Sequence, residues 1–140
     1  ASGGDSRLNV RLRIPRDLAV IKNRNAVAYA EYQGIGTSVS CYLRVLNEGL
    51  KDDFFSVPIA TNYVETVAGD YASGCDVWNP NYENGNATEA RLSDPYGIYA
   101  DPNGDHAYVS NRNTHCIFKV AIIIIGDAAI GHQVIIIVCC

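Results

Sequence analysis

From Arg7 to Ile14 the chain alternates without a fault: Leu8, Val10, Leu12 and Ile14 fall on one side, Arg7, Asn9, Arg11 and Arg13 on the other. A period of two predicts a strand with one apolar and one basic face. Pro15 predicts its end or a kink. Further short strands are expected over residues 17–22 and 27–32, the latter stopped by the breaker Gln33-Gly34-Ile35-Gly36. Residues 39–45 alternate again, with Val39, Cys41, Leu43 and Val45 sharing a face. Val39, Leu43, Leu46 and Leu50 also fit helical spacing, but β-branched and aromatic residues dominate, which favours strand.

Turn signals at 47–49 and 51–53 precede expected strands at 54–60 and 62–67. A loop-rich stretch covers 68–86, followed by an expected strand at 87–92. Residues 97–100 and 106–110 form the arms of a predicted hairpin around Asn103-Gly104, the strongest short hairpin signal. Two apolar runs, 116–125 and 134–138, close the chain and predict strands buried on both faces. Between them lies a polar break, 126–133. Its Asp127 would cost roughly 2.5–3.5 kcal/mol at a bilayer centre, so no membrane span is expected. About ten short strands with frequent turn signals predict an all-β fold, a β-sandwich or jelly roll. Residues 1–16 are read as an extended N-terminal arm and 17–140 as the β-sandwich domain.

The 140 residues are 48% hydrophobic, which excludes wholesale disorder and suits one domain. Charge is uneven. Residues 1–24 hold six basic and two acidic groups, net +4; the remainder holds five against thirteen, net −8. The overall charge of −4 argues against a nucleic-acid partner. A basic arm on an acidic body suits docking onto its own kind or another polyanion.

The chain has no methionine and starts Ala-Ser-Gly-Gly-Asp, as signal-peptide removal would leave it. Five cysteines, Cys41, Cys75, Cys116, Cys139 and Cys140, lack the spacing of a zinc site. They suit an oxidising compartment and one or two disulfides, with pairing left open. Asn86-Ala87-Thr88 makes Asn86 a candidate glycan site in a secreted eukaryotic chain. Secreted or cell-surface location follows as the expectation.

Catalytic signatures are missing. His106, His115 and His132 have no ligand partner at helical spacing, and Gly34-Ile35-Gly36 lacks the rest of a dinucleotide fingerprint. No Gly-x-Ser-x-Gly occurs, and Asp101 and Asp105 read as a hairpin turn before a calcium loop. No enzyme activity, cofactor or metal is therefore expected. Tyr71, Trp78 and Tyr82, set among Asp70, Asp76 and Asn79, are the candidate residues for stacking on a sugar.

Two resemblances add to this reading. Residues 94–111, with Pro95-Tyr96-Gly97-Ile98, the Asp101-to-Gly104 turn and Tyr108-Val109-Ser110-Asn111, resemble one blade of an NHL or YVTN-type β-propeller. A propeller needs roughly 4–8 blades of about 40 residues, and this chain has room for three. Unless several chains share one ring, the segment reads as an ordinary hairpin. Residues 7–14 resemble the donor strand of pilin-like fibre subunits, in which the arm of one subunit completes the sheet of the next. That resemblance implies a secreted structural subunit. It would build an extracellular filament head to tail from copies of itself, with Leu8, Val10, Leu12 and Ile14 as the inter-subunit strand and Arg7, Arg11 and Arg13 as its basic face. The alternative is a secreted carbohydrate-binding β-sandwich with glycans as partners.

Overall fold

The computed structural model describes residues 5–6, 12–35, 38–51, 53–55, 57–69, 87–90, 92–125 and 128–139. The fold is all-β and antiparallel. Its strands are β1 (Asp5–Ser6), β2 (Ile14–Ile21), β3 (Ala26–Ile35), β4 (Ser38–Asn47), β5 (Asp53–Phe54), β6 (Val57–Pro58), β7 (Tyr63–Ala68), β8 (Pro95–Ala100), β9 (His106–Asn111), β10 (Cys116–Ile125) and β11 (Ala128–Cys139). The first sheet has the order β1-β7-β4-β3-β2 and the second β11-β10-β9-β8, with β5 and β6 as a separate pair.

The alternation at 39–45 does form a strand, β4, and the hairpin around Asn103-Gly104 is β8–β9. Elsewhere the pairing overrides local signals. Pro15 lies inside β2 instead of ending it. β2 is an edge strand with a bulge between Pro15 and Asp17, where a missing N–H is tolerated. The arm boundary at residue 16 thus falls within a strand. β3 runs through Gln33 and Gly34 because β4 offers each a partner, Ser40 and Val39. Residues 54–60 are not one strand: Phe55 takes a left-handed backbone (φ 49°) between β5 and β6. The strand expected at 87–92 is replaced by a 3-10 turn, Ala87–Glu89. The polar break at 126–133 is largely strand, since β10 supplies a ladder down to Ile125↔Ala128.

Each sheet turns one face to a shared core. Ile21, Ala28, Leu43, Val45 and Val67 come from the first, Ala107, Val109, Phe118 and Val120 from the second. Phe54, Phe55 and Ile59 fill the same core from the β5–β6 segment. β10 alternates in its described part: Cys116, Phe118 and Val120 are buried while Ile117 is 46% exposed. This corrects the expectation of burial on both faces there, because one face of the second sheet is open. The connections are those of two successive up-and-down sheets, whereas jelly-roll strands would alternate between sheets. β8 adjoins β2 and β3, so the first strands of the two four-stranded series meet.

The β8–β9 turn is built on Asp101. Its carboxylate accepts from the Asn103 N–H (2.9 Å), and its carbonyl accepts from the Gly104 N–H (2.9 Å). Gly104 has φ +76°, and a Cβ there would lie 3.2 Å from the Phe54 ring. Gly104→Ala should therefore destabilise the protein by about 1–2 kcal/mol, read as a lower urea midpoint at unchanged slope.

Candidate functional site: two open sheet faces and the seam between them

Positions that alternate with the core residues of β2, β3, β4 and β7 form the outer face of the first sheet. The register sets Leu18 beside Tyr29, Val20 beside Val27, Val27 beside Leu46, and Leu46 beside Val64. Over these positions the face is apolar, and along β2 it is open: Leu18 is 61% and Val20 60% exposed. Ile14 pairs with Tyr32 and so falls on the other face of the sheet, but Leu12, just before β2, is exposed and lines the same cavity as Leu18. A cavity of about 580 Å³ lies here, lined by Leu12, Leu18, Val27, Tyr29, Leu46 and Val64, with Arg16 and Asp17 beside them.

The outer face of the second sheet carries aromatic groups. Tyr99 and Tyr108 are register partners with ring centroids 6.2 Å apart. His106 meets Tyr108 edge-on at 5.4 Å, and the Lys119 ammonium lies 5.8 Å from the Tyr108 ring centroid. Tyr99 and Ile117 are about half exposed on this face. Sequence reading missed this cluster, although the signal was present: Ile98, Ala100, Ala107 and Val109 alternate with Tyr99, His106 and Tyr108.

The seam between the sheets is polar and charged. The Asp17 carboxylate accepts from the Ile98 N–H at 3.0 Å, joining β2 to β8. Asp94, almost fully buried, sits between two guanidinium groups, Arg16 at 3.4 Å and Arg112 at 2.6 Å. Its carbonyl also accepts from the Arg112 N–H. Arg16 stacks over Tyr32 and Arg112 over Tyr96. Away from the seam, on the outer face of the first sheet beside Tyr29, the buried Glu31 carboxylate accepts from the Arg13 N–H at 2.7 Å and faces the Arg44 guanidinium at 3.6 Å. Neutralised in this way, the seam orients the first strands of both sheets, and the Glu31–Arg44 pair is buried, so the exposed part of the first sheet's outer face along β2 stays apolar.

The residues expected to act are distributed as follows. Ile14 pairs with Tyr32 of its own chain, and Arg13 is held through its backbone by Glu31. At the other end of the arm, Asp5 and Ser6 pair with Val64 and Tyr63. Arg7, Leu8, Val10 and Arg11 lie outside the described residues, as do Tyr71, Cys75, Trp78, Tyr82, Asn86 and Cys140. Cys41 and Cys116 are buried, and the β10–β11 register places Cys139 opposite Cys116. Among the described residues no group of three or more His, Cys, Asp or Glu side chains could hold a metal ion, and no helix is long and apolar enough to cross a membrane. Comparison with family models, with curated proteins and with solved structures finds no significant match.

Proposed function

We propose that this protein is an extracellular structural subunit that assembles with copies of itself, and that the outer face of the first sheet is where it does so. The exposed Leu18 and Val20 of the edge strand carry the reading, since they stand on one face beside the apolar cavity that Leu12 also lines. Contiguous exposed apolar surface marks an interaction site more often than a solvated face. Association through the face of the sheet is favoured over donation of the arm, because both ends of the arm are paired within its own sheet.

Light scattering and sedimentation velocity test this directly. The full chain should be oligomeric, and Leu18→Asp combined with Val20→Asp should weaken association at least about a hundredfold, each side chain having lost its burial at the contact. A full-length chain that stays monomeric at high concentration overturns the proposal.

The extracellular setting carries a redox expectation. Cys41 and Cys116 are buried, and neither sulfur is without a partner. Thiol titration of the denatured, unreduced protein should therefore find fewer than five free thiols. Five would remove the support for an oxidising compartment.

A further inference from the structure

Self-association through the first sheet leaves open what that sheet meets on the neighbouring copy. We infer that it meets the aromatic outer face of the second sheet, so that copies pack head to tail and close into a ring of four-stranded sheets. This rests on the self-assembly reading above and names the partner surface.

Three observations converge. First, the chain is two consecutive up-and-down series, β2-β3-β4-β7, to whose far edge the two-residue β1 adds, and β8-β9-β10-β11, with the first strands β2 and β8 side by side. Radial repetition of such four-stranded sheets around an axis is the architecture of a β-propeller, which needs about 4–8 of them. Two sheets are too few to close, and about two to four copies would supply the number.

Second, the contact required between copies continues one the molecule already makes. The inner face of the first sheet packs on the inner face of the second. The two faces left over are the apolar one at Leu18 and Val20 and the aromatic one at Tyr99 and Tyr108. Stacking these on each other repeats the sheet-on-sheet arrangement from copy to copy. In that arrangement β2 has β8 of its own chain on one side and β8 of the next copy on the other.

Third, the two faces differ in a complementary way. One holds a cavity of about 580 Å³ with apolar walls. The other projects the half-exposed ring of Tyr99, with Tyr108 and His106 beside it. Aromatic side chains seated in apolar pockets are the usual anchors of protein interfaces. Because the two patches are different surfaces, the contact is heterologous. It generates a ring if the rotation per copy closes and an open filament if it does not. The blade-like meeting of β2 and β8 favours closure.

The experiment pairs two defective variants. The first-sheet variant carries Leu18→Asp and Val20→Asp, and the second-sheet variant carries Tyr99→Asp and Tyr108→Asp. Circular dichroism and thermal melting establish that each folds, and Ile117→Lys, at another half-exposed position of the second face, serves as the milder alternative. The wild type should show a single discrete mass by light scattering that does not grow with concentration. Each variant alone should be monomeric, its dissociation constant raised at least about a hundredfold. An equimolar mixture should form dimers and nothing larger, because one intact face of each kind remains and the two make a single complete contact. If the second-sheet variants assemble like the wild type, the partner face is wrong while self-assembly through the first sheet stands. Open filaments of the wild type by electron microscopy overturn the ring. A monomeric wild type overturns both this inference and the function it rests on.

Discussion

Replacing Phe118 by alanine is expected to cost about 3–5 kcal/mol of unfolding free energy, the range for a large aromatic truncated in a packed core. Phe118 is 1% exposed, on a strand flanked by β9 and β11, and belongs to the core that both sheets share. Truncation removes its burial and leaves a void that the strands on either side, held by their ladders, cannot collapse into. Domains of this size have roughly 5–15 kcal/mol in total, so the variant should unfold at a much lower denaturant concentration. Its neighbour supplies the control. Ile117 points to the other face and is 46% exposed, and Ile117→Ala should cost less than about 1 kcal/mol. Equal losses at the two positions would show that the assignment of inner and outer faces is wrong.

Asp94→Asn should destabilise by about 2–3 kcal/mol. The carboxylate is buried between Arg16 and Arg112, and removing one member of a buried ionic cluster typically costs 3–5 kcal/mol. The lower figure applies because the Arg112 side chain is 61% exposed and recovers hydration when its partner is neutralised. Asparagine is the informative replacement, since residue 94 sits at φ 52°, which Asn adopts as readily as Asp. The backbone is preserved, and the loss reports on charge alone. Arg112→Ala should cost less, because Arg16 continues to face the carboxylate. Chemical denaturation of the two variants side by side checks the order. A larger loss at Arg112 would mean that its stacking on Tyr96 matters more than the ion pair.

The all-β class, the strand at 39–45 and the hairpin around Asn103-Gly104 were legible from the residues alone. Each rests on a local signal: a period of two, β-branched content, or a turn dipeptide whose backbone twist suits paired strands. Ladder partners are a different matter. Gln33 and Gly34 read as a breaker, yet they stay extended because Ser40 and Val39 lie opposite them. Pro15 reads as a stop, yet it is carried within β2 because that strand is an edge and bulges beside it. Residues 87–89 fit a strand by pattern, but they form a 3-10 turn that closes through the Ala90 N–H on the Ala87 carbonyl.

The candidate site divides along the same line. The alternation that carries Tyr99, His106 and Tyr108 is visible in the sequence, whereas the bulge after Pro15, which puts Ile14 on the other face from Leu18, is not. Local periodicity sorts side chains onto two faces but does not say which face the rest of the chain will cover. That depended on the packing of the first sheet against the second, which buried Phe118 and left Ile117 outside, and buried Ile21 while leaving Leu18 and Val20 exposed. The seam is likewise tertiary. Asp17 meets the Ile98 N–H, and Arg16 meets Asp94, across separations that no local pattern spans. Alternation along a strand is a property of neighbouring residues, whereas burial and ion pairing are properties of whatever folds against them.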